Sequence, residues 1–239
     1  MPDNLSPHAP VHPNEVREDI VERVMARRGK FHLFDGVEPA KTAFVVIDMQ
    51  NAFMQPGAPV EVPAARGIVP KINEMAAALR DAGGDVVWVW SEIRASRGRA
   101  DWRHLVDNIV AAEVRDKTIE NMAPGADGTK LWHAFDLHAD DLYIVKNRFS
   151  CLAPGASSLL PTLRSRGIDT LLIGGTKTNI CCETTARDAA DMDFRAIMVS
   201  DCNAALSDRE HLAALENVIQ QFGDVMLTED VIARFQPAG

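Results

Sequence analysis

Three residues of this 239-residue chain stand where an apolar run ends in a reactive or charged side chain. Thr42 to Asp48, followed by Met-Gln-Asn-Ala-Phe, closes on a carboxylate. Leu142 to Lys146 closes on a lysine. Leu171, Leu172 and Ile173 lead through Gly174 and Gly175, which break the run, into Thr-Lys-Thr-Asn-Ile-Cys-Cys, residues 176–182. Short apolar runs of this kind read as buried strands. Asn179 is a good N-cap, and Ile180 through Ala190 contain no Gly or Pro, so the spacing predicts a helix with Cys181 in its first turn. The unpaired N–H groups and positive dipole end there favour a thiolate over a thiol. The same N–H groups can face an oxyanion. The chemistry this permits is nucleophilic attack on a carbonyl carbon. Each residue also has a bland reading: Cys181 as a small buried hydrophobe, Asp48 as a loop cap, Lys146 as a solvated strand end. Open α/β sheets place ligands at the C-terminal ends of their strands. Three such side chains on one sheet edge favour a site.

The elements that must position them follow from periodicity. Pro2, Pro7, Pro10 and Pro13 make residues 1–13 an expected flexible arm. Asn14 caps a predicted helix to Arg28, with Val16, Ile20, Val21, Val24 and Met25 on one face. That stripe lies outside the α/β alternation and predicts a homo-oligomer, a dimer or tetramer. Phe31-His32-Leu33-Phe34 reads as a short edge strand or a clamp. From Thr42 onward, strands at about 43–48, 85–90, 142–146, 169–173, 195–200 and 225–227 alternate with helices. Helices are predicted at about 68–82, 102–114, 157–166, 180–190 and 208–222. This alternation predicts a three-layer α/β/α fold with a six-stranded parallel sheet covered on both faces. The chain is expected to divide into an N-terminal arm and helix, 1–41, and one α/β domain, 42–239. The long loops 49–65 and 91–141 are the candidate pocket walls.

These three pieces resemble the isochorismatase-like cysteine hydrolases. The matching segments are Val-Ile-Asp-Met-Gln-Asn-Ala-Phe (46–53), Lys-Asn-Arg-Phe-Ser (146–150) and Gly-Thr-Lys-Thr-Asn-Ile-Cys-Cys-Glu-Thr-Thr-Ala-Arg-Asp-Ala (175–189). The resemblance implies a Rossmann-like fold and an Asp48, Lys146, Cys181 triad. It also implies a cis peptide at Thr176–Lys177 and an oxyanion hole of the Lys177 and Cys181 N–H groups. The implied reaction is hydrolysis of a small amide or ureido/carbamoyl compound through a thioester, releasing ammonia, with no cofactor. The Asn-Ala-Phe after Asp-Met-Gln looks most like the ureidoacrylate amidohydrolases. Lys177 is a departure, since relatives usually carry a small or uncharged residue there. It either meets an anionic group on the substrate or turns to solvent. Gln50, Asn51, Phe53, Trp90 and Thr176 are the candidate substrate contacts. Cys182 is expected to be a buried apolar contact, and Arg187 and Asp188 a structural ion pair.

Nicotinamidases of this family bind a divalent metal through Asp-x-His and a later His after the second strand. Here that stretch reads Trp-Ser-Glu-Ile-Arg-Ala-Ser-Arg-Gly and His104 is isolated, so no catalytic metal is expected. Gly174-Gly175 lacks the G-x-G-x-x-G pattern, which argues against a nucleotide cofactor. A formal net charge of −9 argues against nucleic acid or an anionic membrane as partner. No apolar run approaches a membrane span, and the first residues lack the apolar core of a signal peptide. Four cysteines without C-x-x-C spacing are neither a zinc site nor a disulfide scaffold, so a reducing cytoplasm is the expected home. Two other readings stand beside the amidase. One is an isochorismatase-type vinyl-ether hydrolase, which needs the aspartate but no thiol. The other is a non-catalytic ligand-binding protein of this fold.

Overall fold

The computed structural model describes residues 11–96 and 99–236, so most of the arm expected at 1–13 lies outside the described residues. The first helix, α1, spans Glu18–Arg28 rather than starting at Asn14. Its N-cap is Arg17, with no side-chain cap, and Gly29 ends it in the left-handed region at φ 75°. Ile20 and Val24 of its apolar stripe are 2% exposed and join the chain's own core. The stripe is therefore largely covered within the chain, and only Met25 remains well exposed. Residues 31–34 form a clamp, not a strand. The carboxylate of Asp224 accepts the N–H groups of Leu33 and Phe34 and contacts the His32 ring.

Strand β1 is Thr42–Ile47, every residue of it buried. The one-turn helix α2, Asn51–Met54, follows. Helix α3, Val69–Asp81, buries Ile72, Met75 and Leu79 at helical spacing. Strand β2 is Asp85–Ser91. The region predicted as one helix over 102–114 is a π-helical turn at Leu105–Ile109 and a separate helix α4, Ala112–Asn121. Strand β3 is Leu142–Lys146 and helix α5 is Leu159–Ser165. Strand β4 is Thr170–Thr176, running straight through the glycine pair. Helix α6 is Glu183–Asp191 and strand β5 is Arg195–Ala204, longer than predicted. Helix α7, Asp208–Asn217, is capped by Ser207, whose side chain accepts the Glu210 N–H. It runs into a π turn at Val218–Phe222. Strand β6 is Asp224–Met226 and helix α8 is Thr228–Ile232.

The sheet is six-stranded and parallel, in the order β3-β2-β1-β4-β5-β6. One apolar core forms on each face. On one face, Trp88 is fully buried against Phe135 and gives its indole N–H to Asp141. The chain order reverses between β1 and β4, where such sheets open a crevice for ligands. Gly175 sits at that point, in register with Ile47. Its φ is 118°, and a Cβ there would collide with the Ile47 backbone. Only glycine lets the two strands approach this closely.

Candidate active site

Asp48 is the first residue past β1. It takes φ 56°, sparsely populated for a residue with a side chain, and its N–H is held by Val89 O at 2.8 Å. Backbone outliers of this kind cluster at functional sites. Lys146 ends β3 in register with Ser91 at the end of β2. Cys181 lies in a π-helical turn, Thr178–Cys182, that precedes α6. Asn179 is therefore inside the turn and is not its N-cap, which is Lys177. The Ile180 and Cys182 N–H groups both point to Lys177 O, at 3.0 and 3.3 Å. The peptide bond between Thr176 and Lys177 is cis.

The three side chains converge through a fourth. Lys146 Nζ lies 2.9 Å from Asp48 Oδ2, and both side chains are fully buried. The ammonium donates to Ser91 Oγ at 2.8 Å, to Arg148 O at 3.0 Å and toward Cys181 Sγ at 3.5 Å. Ser91 Oγ in turn donates to Asp48 Oδ1 at 2.8 Å. Asp48 Oδ2 faces the ammonium but makes no directed hydrogen bond. Paired with the ammonium, that oxygen keeps a lone pair that can receive a proton. Burial opposes the charge on Lys146, but the attraction of the Asp48 charge leads the effects that outweigh it and raise its pKa. Cys181 behaves differently from the thiolate expected at a helix start. Burial, then the Asp48 charge, push its pKa up against the pull of Lys146, so it rests as a thiol.

Ser91 escaped sequence analysis because a lone serine at a strand end carries no signal. Ser91→Ala removes one hydrogen bond to each buried charge, worth about 1.5–3 kcal/mol per bond to a charged group. Turnover is expected to fall by about 10–100-fold with the fold retained, since Gln50 holds the Ser91 backbone. Steady-state rates and a thermal melt check both halves.

A cavity of about 100 Å³ opens at Cys181 and reaches Asp48 and Ser91. Its walls come from the two long loops, through Phe53, Val60, Trp102, Leu105 and Met122, and from Phe149, Ile180 and Lys177. Of the candidate contacts, Phe53 lines it. Gln50 does not. It is fully buried, gives its amide to Ser91 O and Gly128 O, and accepts the Ser91 N–H at 2.6 Å. Asn51 reaches out to Asp127 at 3.3 Å. Trp90 gives its indole N–H to Glu92 at 3.2 Å, and Thr176 gives its hydroxyl to Ala204 O at 3.2 Å. These four are tied to the protein itself. Cys182 is fully buried in the core. Arg187 pairs with Glu183 at 2.6 Å and stacks over Phe222, so the ion pair is not with Asp188.

An isochorismatase domain model matches residues 42–230. The chain belongs to the isochorismatase family. A ureidoacrylate amidohydrolase of Pseudomonas savastanoi pv. phaseolicola is 30% identical over 217 residues, covering 85% of this chain and 87% of that protein. A maleamate amidohydrolase of Pseudomonas putida is 26% identical, covering 82% and 87%. The crystal structure of a cysteine hydrolase from Pseudomonas syringae pv. phaseolicola superposes with a TM-score of 0.70 at 27% identity, covering 83% of this chain and 94% of that one. The two named amidohydrolases act on C–N bonds other than peptide bonds, and this isochorismatase-family chain stands among them as an enzyme of that class.

The residues after β2 do not fit the divalent metal of the nicotinamidase branch. Glu92 is engaged by Trp90 and by Arg94 at 3.5 Å. His104 is exposed. Among the described residues, no three His, Cys, Asp or Glu side chains converge as ligands could. Prolonged chelation should leave turnover unchanged. Activity lost to a chelator and restored by a divalent ion would contradict this.

Proposed function

We propose that this chain is a cysteine-dependent hydrolase of a small amide or ureido/carbamoyl compound. The observation that carries the reading is the buried contact of Lys146 with both Asp48 and Cys181, the two of the three that line the cavity. Cys181 is a thiol at rest, so attack needs a base. Asp48 Oδ2 takes the Sγ proton as the S–C bond forms and the carbonyl becomes an oxyanion. The N–H groups of Lys177 and Cys181 meet that oxyanion. Collapse breaks the C–N bond, and the leaving nitrogen takes the proton from Asp48 to depart as ammonia or an amine. Water then attacks the thioester while Asp48 removes its proton. The C–S bond breaks, and the proton returns to sulfur. Lys146 keeps its charge throughout and offsets the negative charge wherever it sits.

The cavity limits the substrate. A water needs roughly 10–15 Å³ of such space, so about 100 Å³ suits a compound of a handful of heavy atoms. A thiol lining that cavity favours amide cleavage over vinyl-ether hydrolysis, which needs none. Four free, buried cysteines suit a reducing cytoplasm. The test is ammonia release across a panel of small amides, ureas and carbamoyl compounds. At least one should be turned over by the native chain and by none of its Cys181 variants. Equal turnover without the thiol would end this reading.

A further inference from the structure

Outside the matched residues 42–230, the N-terminal segment reaches the catalytic turn through two histidines. His211, in the first turn of α7, is fully buried. Its Nδ1 lies 2.9 Å from Thr178 Oγ1. Thr178 opens the turn that carries Cys181 and directly follows Lys177. His12 stacks on the His211 ring, with centroids 4.8 Å apart and planes at 25°.

His12 is itself held on two sides. Its Nδ1 lies 2.6 Å from Asp208 Oδ1, and its Nε2 lies 3.0 Å from Ala205 O and 3.1 Å from the Ala205 nitrogen. The side chain is 7% exposed. The Nε2 of His211 is buried with no hydrogen-bond partner. The Thr178 contact and the His12 stack are therefore the directed contacts that orient that ring. Burial, with His12 beside it, pushes the His211 pKa down to about 3, so the ring stays neutral in ordinary buffers.

We propose that His12 and His211 are positioning residues for the reaction. His12 clamps His211, His211 holds Thr178, and Thr178 fixes the turn that presents Cys181 and its oxyanion N–H groups. This rests on Cys181 being the nucleophile. The ring makes one side-chain hydrogen bond, and the His12 stack covers its face. Loss of the stack frees it, and Thr178 with it. Misplacing a reacting group by about 1 Å can cost about 100-fold.

The test reads the nucleophile without needing the substrate. The full chain is treated with iodoacetamide, and labelling of each cysteine is followed by mass spectrometry. His12→Ala should slow labelling of Cys181 by about tenfold, within the range a small misplacement allows. Added imidazole, filling the vacated site, should restore most of the rate. His12→Phe, which keeps the stack and loses the polar contacts, should fall between the two. Cys202, fully buried in the core on the opposite face of the sheet, should stay unlabelled in all of them. An unchanged Cys181 rate in His12→Ala overturns the inference. So does a slowed rate that imidazole does not recover, accompanied by new labelling of Cys202, which marks general loosening. If Cys181 resists labelling in the native chain while turnover persists in Cys181→Ala, the nucleophile reading itself has failed, a result separate from either.

Discussion

Cys181→Ala should lose essentially all turnover while keeping the fold. The side chain removed is small and lies at the cavity wall, 7% exposed, so the core loses little. The reaction loses the atom that forms its covalent bond. Knocking out such a nucleophile has cost about 10⁶-fold elsewhere, and no neighbouring group replaces it here. Cys182 is one residue on in the π turn, faces another direction, and is fully buried in the core. Its pKa is raised well above the ordinary range by burial first and by Cys181 next. Cys182→Val, which fills similar space with apolar atoms, should remain active. Ammonia release and a thermal melt on both variants decide the matter. An active Cys181→Ala protein, or an acyl group mapped to Cys182 by mass spectrometry, would overturn the assignment.

Lys146→Met should damage both stability and rate. The ammonium is fully buried with Asp48 2.9 Å away. Breaking a buried pair by removing one partner costs about 3–5 kcal/mol, because it strands the other charge. A stranded buried carboxylate responds by taking up a proton. An aspartate already protonated cannot accept the thiol proton, so turnover should fall by about 10³-fold or more, the scale of a lost general base with part of its electrostatics. Adding Asp48→Asn to Lys146→Met removes the stranded charge. The double variant should recover much of the lost stability and none of the activity. Denaturant midpoints for the two singles and the double provide the coupling. A double variant no more stable than Lys146→Met would mean that the pair is not what the fold depends on.

The segments that bring Asp48, Lys146 and Cys181 together were legible because each sits where a strong apolar pattern stops. Thr42–Ile47 is buried throughout, and Leu142–Lys146 is an edge strand that still buries Ile144 and Lys146, so both apolar runs survive the detail of packing. The order in which they deliver Asp48, Lys146 and Cys181 follows from the parallel sheet. Local backbone at the site was less legible. A π turn at Thr178–Cys182 and an α-helix there draw on the same residue types, so Asn179 looked like a cap. The thiolate expected of a helix start did not survive burial beside Asp48, a charge that arrives from a strand 133 positions earlier in the chain. Gln50 and Ser91 reversed roles for the same reason. A glutamine in a loop looks available for substrate, yet the partners that consume it lie 41 and 78 positions away. The contact of His12 with Asp208 spans 196 positions, which no local pattern encodes.

The Gly175 contact with Ile47 carries a consequence for how this site tolerates heat and mutation. Asp48 follows Ile47 directly, and Cys181 hangs from the turn beyond Gly175. The backbone part of the spacing between Asp48 and Cys181 is thus gauged by main chain against main chain. Rotamers hop readily as temperature rises, whereas paired strands in a sheet interior do not. That backbone spacing should therefore drift little until the sheet itself opens, which leaves the side-chain contacts of the Cys181 turn as the part that heat loosens first. Any residue larger than glycine at 175 would act as a wedge between the two halves of the active site, even though it touched neither reacting group.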